Sequence, residues 1–129
     1  LGLPRIAVVD NEPTFLRLAQ NILTDAGYEV FILNGGASAY EVIKRVEPQL
    51  LIMDTWLEAR EEGWDLLHLM RLSPETASIP IVVLSSDDPK LVKERFAAES
   101  GADVTLLFKP FYSDQLLSAI SRALEQNYA

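Results

Sequence analysis

Cysteine is absent from this 129-residue chain, which excludes a disulfide framework, a thiolate metal site and a Cys nucleophile. Histidine occurs once, at His68, so neither a zinc site nor a Ser-His-Asp triad is expected. Positive charge is scarce: 11 Lys and Arg stand against 19 Asp and Glu, a formal charge of −8. Broad electrostatic attraction to nucleic acid or to an anionic membrane is therefore not expected, and no direct nucleic-acid or membrane partner is assigned. No apolar run approaches the ~20 residues that a membrane span needs. The opening Leu1-Gly2-Leu3-Pro4-Arg5 lacks a basic segment followed by an apolar one, so no signal peptide is expected. An initiator Met is also missing, which leans towards a domain excised from a longer protein.

What is present is ordinary globular material, 49% apolar and 23% charged, in a length that suits one domain over 1–129. A chain of this size buries roughly two-thirds of its unfolded surface and needs no staples. Ile6 to Val9, Leu50 to Met53 and Ile81 to Leu84 are short apolar runs without alternation, the pattern of strands buried on both faces. Tyr28 to Leu33 and Val104 to Phe108 are two further strand candidates. Helical patterns lie between them. Pro13 opens the first and Gly27 closes it as a C′ residue. Ala37 to Val46, Trp64 to Leu72 and Pro89 to Ser100 follow, and Ser113 is expected to cap a fifth helix with Leu116, Leu117, Ile120, Ala123 and Leu124 on one face. Thr55 to Gly63 is polar and reads as an exposed loop. Five strand–helix units predict a doubly wound α/β fold with a parallel five-stranded sheet.

Ligands of open α/β sheets bind beyond the carboxyl ends of the strands. Those ends carry Asp10-Asn11-Glu12, Asp54, Ser85-Ser86 and Lys109-Pro110, while the second strand ends in Asn34-Gly35, which offers little chemistry. Clustered carboxylates repel one another and call for a cation. With oxygen ligands only, Mg²⁺ is the natural one. A lysine and a hydroxyl beside it suit a phosphoryl group, and a carboxylate can itself be the nucleophile. The set points to Mg²⁺-assisted phosphoryl transfer onto an aspartate. Each residue also has a plainer role: Asp10 and Asp54 as turn or capping residues, Ser85 and Ser86 as caps of the fourth helix, Lys109-Pro110 as a turn. Trp64 is expected to be a packing residue and His68 to lie on a helix surface.

Taken in order, Val8-Val9-Asp10-Asn11-Glu12-Pro13, Leu51-Ile52-Met53-Asp54, Ile79 to Ser86, Gly101-Ala102-Asp103 and Lys109-Pro110-Phe111 resemble the receiver domains of two-component response regulators, over about Arg5 to Leu124. The resemblance implies a flavodoxin-like sheet of strand order 2-1-3-4-5. It implies a cytoplasmic phosphoprotein that accepts phosphate from a histidine kinase or histidine phosphotransfer protein and is not a conventional enzyme. It makes Asp54 the phosphoacceptor. Asp10, Asn11, Asp54 and the Trp56 carbonyl become the Mg²⁺ ligands, and Ser85 and Lys109 the phosphoryl-binding pair. The Lys109-Pro110 bond is then cis, and helix four, strand five and helix five form the surface for a homodimer or an output domain.

Departures from the family pattern carry expectations of their own. Asn11 stands at an acidic position, so weaker Mg²⁺ binding is expected unless Glu12 compensates. Leu106, three residues before Lys109, stands with Ser85 at the switch positions, where an aromatic ring is usual; Thr105 is a rival because Gly101 to Lys109 is one residue longer than common. Gly63 follows Asp54 by nine residues, one more than usual, and Glu58 replaces a common Pro. Trp56 and Asp87 stand at positions that tune acyl-phosphate lifetime, Trp56 by shielding the phosphoryl group from water. Asn11 and Leu106 motivate an alternative, a degenerate receiver acting as a phosphorylation-independent interaction or dimerisation module. A flavin carrier on the same fold is disfavoured by the acidic loop after strand one, and a P-loop hydrolase by the missing Gly-rich Lys-Ser/Thr signature.

Overall fold

A computed structural model of the chain describes residues 2–35, 38–54, 62–99 and 104–128. Strands and helices alternate: β1 (Arg5–Val9), α1 (Pro13–Asp25), β2 (Glu29–Leu33), α2 (Ala39–Val46), β3 (Leu50–Asp54), α3 (Glu62–Leu72), β4 (Ile81–Ser85), α4 (Pro89–Glu99), β5 (Val104–Phe108) and α5 (Ser113–Tyr128). All four strand pairings are parallel, and the order is β2-β1-β3-β4-β5. The doubly wound sheet read from the sequence is the sheet observed. Its order reverses between β1 and β3, which opens a crevice at their carboxyl ends.

The uninterrupted apolar runs are the central strands. Every residue of β3 and β4 is buried, while the edge strands β2 and β5 are only partly so. Two cores result from the two-residue alternation of a strand. Ala7, Val9, Leu51, Met53, Ile81 and Val83 pack under α2, α3 and α4. Ile6, Val8, Leu50, Ile52, Val82 and Leu84 pack under α1 and α5.

Helix boundaries follow local chemistry. Pro13 lies at the start of α1, and Gly27 beyond its end adopts φ +98°, a left-handed conformation that costs glycine little. α2 ends at Glu47 in the left-handed region, next to Pro48, and Arg5 Nη2 donates to the Glu47 carbonyl at 2.9 Å. Two capping expectations are corrected. Ser113 is the first residue of α5 rather than its cap; Tyr112 precedes it and donates its N–H to Gln115 Oε1 at 2.7 Å, the backward half of a capping box. α4 is capped not by Ser85 or Ser86 but by Asp88, whose Oδ1 accepts from Lys90 N–H at 2.9 Å. Glu62 and Gly63, expected in a loop, belong to α3; residues 55–61 of that stretch lie outside the described residues. Trp64 is a packing residue as expected, buried with its ring centroid 4.5 Å from that of Phe96 and the Arg95 guanidinium 3.9 Å from its own. His68 is exposed on α3.

Candidate functional site

Register places the site. Val9 pairs with Met53, Asp54 with Leu84, and Leu84 with Leu107. Asp10, one residue beyond β1, therefore lies level with Asp54, and Lys109 follows two residues after Leu107. Hydrogen bonds carry the ladder past the strand ends: Asp10 N–H donates to the Leu33 carbonyl at 3.1 Å and Lys109 N–H to the Ser85 carbonyl at 2.8 Å. Asp54 continues the side of Leu50 and Ile52, which faces α1 and α5. A parallel sheet thus brings residues 44 and 55 positions apart along the chain onto one rim, on one face.

The side chains meet there. Lys109 Nζ donates to Asp54 Oδ2 at 2.7 Å and lies 3.9 Å from Asp10 Oδ2. Asp10 and Asp54 are both buried, with Asp10 only 2% exposed, whereas the Lys109 side chain is 26% exposed. The two oxygens of Asp10 do different things. Oδ1 accepts from Glu12 N–H at 2.9 Å and shapes the turn into α1. Oδ2 is buried without a hydrogen-bond partner. Burial raises the Asp10 pKa above its ordinary value; the N–H of Glu12 pulls it back, Asp54 pushes it up further, and Lys109 and the N–H of Asn11 oppose the rise.

Two carboxylates against one ammonium leave this trio with a net negative charge. The uncommitted buried oxygen of Asp10 is what a hard cation would satisfy. The donor set is oxygen-only, which suits Mg²⁺, and Asn11 is exposed at its edge. No cluster of three or more acidic, His or Cys side chains suited to a metal occurs among the described residues. A cation here would complete its shell with amide or carbonyl oxygen and water, as Mg²⁺ commonly does.

The family model for the response regulator receiver domain matches residues 6–121. The chain belongs to that family. Receiver domains are the phosphoacceptor switches of phosphorelay signalling in two-component systems and catalyse phosphorylation and dephosphorylation of their own aspartate. It is 30% identical over 126 residues to the sensor histidine kinase TmoS of Ectopseudomonas mendocina, an alignment covering 98% of this chain and 12% of that protein. It is 33% identical over 125 residues to the phosphate regulon transcriptional regulatory protein PhoB of Rhizobium meliloti, covering 96% of this chain and 53% of that protein. The chain thus spans about half or less of these relatives. Among solved structures, a response regulator receiver protein from Sinorhizobium medicae superposes with a TM-score of 0.82 at 28% identity, covering 97% of both chains. The receiver domain of a signal transduction histidine kinase from Syntrophus aciditrophicus superposes with a TM-score of 0.81 at 27% identity, covering 95% of this chain and 91% of the other. Receiver domains typically use Mg²⁺ and partner histidine kinases or phosphotransfer proteins.

Other residues expected at a receiver site are placed differently. Ser85 continues the opposite sheet face, that of Ile81 and Val83, and its Oγ accepts from Asp87 N–H at 3.1 Å. Its hydroxyl therefore shapes the turn after β4 rather than capping the fourth helix. Leu106 sits in the middle of β5 opposite Val83 and packs against the α2–α4 core with Val104 and Phe108. Thr105 alternates with it, so the two face different helical layers. The pairing of β5 with β4 is continuous from Val104 to Phe108; residues 100–103 of the stretch before it lie outside the described residues. Lys109-Pro110 is cis, as expected. Trp56 and Glu58 lie outside the described residues. Among the described residues no helix is long and apolar enough to cross a membrane.

One participant was missed at the level of sequence. Phe15, read only as an apolar position of the first helix, places its ring 4.9 Å from Lys109 Nζ. Nothing linear links residues 15 and 109; both had to be assigned to the same sheet rim before the contact could be sought.

Proposed function

We propose that Asp54 is the phosphoacceptor of this receiver domain, with Lys109 and Ser85 as its phosphoryl-binding pair and Asp10, Asn11, Asp54 and the Trp56 carbonyl as Mg²⁺ ligands. The observation that carries this is Lys109 Nζ seated 2.7 Å from Asp54 Oδ2 beside the buried Asp10 Oδ2, which has no hydrogen-bond partner. The Asp54 carboxylate attacks the phosphorus of a phosphohistidine; an O–P bond forms as the N–P bond breaks, and the imidazole leaves with a proton. Bound Mg²⁺ would supply charge neutralisation for the phosphoryl oxygens. Lys109 transfers its hydrogen bond from the carboxylate to a phosphoryl oxygen. Ser85 turns its hydroxyl from Asp87 N–H to another, which gives this face of the sheet its response to phosphorylation.

The finer points belong to the same proposal. Asn11 removes one negative charge and weakens Mg²⁺ binding relative to a two-acid pocket unless Glu12 supplies the compensating charge. Trp56 and Asp87 set acyl-phosphate lifetime. Leu106 cannot swing a ring, so Ser85 carries the switch with aliphatic repacking in β5. Residues 1–129 act as one cytoplasmic receiver domain, and α4, β5 and α5 form its docking surface. The test is incubation with acetyl phosphate and Mg²⁺ followed by intact mass. One phosphoryl adduct is expected in wild type and none in Asp54→Ala. An unlabelled wild type that also ignores beryllofluoride would establish the alternative motivated by Asn11 and Leu106, a degenerate receiver that serves as an interaction module.

A further inference from the structure

The Lys109 ammonium is bounded on two sides by carboxylates and on a third by an aromatic ring. Asp54 Oδ2 lies at 2.7 Å, Asp10 Oδ2 at 3.9 Å and the Phe15 centroid at 4.9 Å. The last distance is inside the ≈ 6 Å range of cation–π attraction. Phe15 is itself held in place. Its ring meets Phe111 edge-on with centroids 6.5 Å apart, and it packs half-buried against the α1/α5 core. Phe111 lies two residues beyond Lys109, so the same loop supplies both the cation over the face of Phe15 and the ring against it.

The backbone that carries Phe15 is tied to the site as well. Asp10 Oδ1 accepts from Glu12 N–H, and the Glu12 carbonyl accepts from Leu16 N–H in the first turn of α1. The carboxylate whose other oxygen lies uncommitted in the site therefore orients the turn that presents the ring.

We propose that Phe15 is a positioning residue for Lys109: its face holds the ammonium over the carboxyl rim while the hydrogen bond passes from Asp54 to the incoming phosphoryl oxygen. This rests on Asp54 being the phosphoacceptor. The physical need is specific. A lysine stem has rotamer entropy to lose, and Lys109 must give up its carboxylate partner at the moment the phosphoryl group arrives. A π face attracts a cation without fixing the direction of any N–H, so the ammonium can pivot on it. An aliphatic side chain of similar bulk fills the same space and offers no such attraction.

The experiment uses the full chain in three forms: wild type, Phe15→Leu and Phe15→Tyr. The first readout needs no phosphorylation. In the wild-type NMR spectrum the Lys109 ε-methylene protons are expected upfield of ordinary lysine values through the ring current of Phe15, and at ordinary values in Phe15→Leu. The second is the rate of acetyl phosphate labelling at saturating Mg²⁺, expected to fall about two- to fivefold in Phe15→Leu and to be retained in Phe15→Tyr. Unshifted ε-protons in wild type overturn the proposal even if Phe15→Leu does not fold. So does a Phe15→Leu rate equal to wild type, or a Phe15→Tyr rate as low as that of Phe15→Leu. Failure of the phosphoacceptor reading looks different: the ring-current shift is present, but wild type and Asp54→Ala label alike.

Discussion

The two faces of the sheet are built on the same kind of aliphatic strand residues and end in different chemistry. On the α1/α5 face the rim carries Asp10, Asp54 and Lys109, with Phe15 beside the ammonium. On the α2–α4 face it carries Ser85, and the core below contains Leu106, Phe108 and the Trp64–Phe96 pair with Arg95 across it. One face gathers charge where it can be neutralised; the other gathers polarisable rings and a hydroxyl where packing can change. Ser85 neighbours both, because its backbone carbonyl accepts from Lys109 N–H while its side chain turns to Asp87. Ser85 is thus the point at one strand end where the charged face and the aromatic face are in hydrogen-bond contact.

Four variants break or sharpen that contrast. The largest expected effect is structural: Trp64→Ala removes a 6% exposed indole from the α2–α4 core and is expected to cost about 3–5 kcal/mol in urea unfolding, with the charged rim left chemically intact. Next is Lys109→Met, which leaves buried Asp10 and Asp54 without their shared cation. At neutral pH and without Mg²⁺ it is expected to destabilise by about 1–3 kcal/mol; Mg²⁺ restores part of that loss, and unfolding curves with and without the ion measure it. Asn11→Asp is expected to tighten Mg²⁺ binding about tenfold, a gain of about 1.4 kcal/mol, read from Mg²⁺ titration of tryptophan fluorescence. An unchanged affinity would mean that Glu12 already supplies the missing charge.

The smallest effect is a pH dependence. Burial raises the Asp10 pKa above 3.8, so the native state holds this proton more tightly than the unfolded chain. The stability it contributes is full below the unfolded value and is lost as pH rises through the folded one. The wild-type minus Asp10→Asn stability difference, measured without Mg²⁺, is therefore expected to decline with rising pH across that window. Mg²⁺ is expected to flatten the decline, because a bound cation favours the ionised form.

Much of the architecture was legible in one dimension. Buried parallel strands are continuous apolar runs, and β1, β3 and β4 announced themselves that way; Pro13 and Gly27 bracketed α1 because each suits only its own end of a helix. Edges were harder. α2 and α3 were each read with one end displaced by two residues, and the caps at Asp88 and Tyr112 were missed because several polar residues compete for each role. Strand ends pointed to Asp10, Asp54, Ser85 and Lys109, since topology dictates which rim of such a sheet binds ligands.

Residue order and type alone determined the fold, the rim and the chemical character of the groups on it, because hydrophobic periodicity and chain connectivity are local properties. Only the tertiary structure decided which of those groups share a face. That depends on strand register and on two-residue alternation continued past each strand end, and a shift of one residue would send a side chain to the other core. It set Lys109 against Asp54, turned the Ser85 hydroxyl to Asp87 N–H, left one oxygen of Asp10 uncommitted, and laid Phe15 against the ammonium.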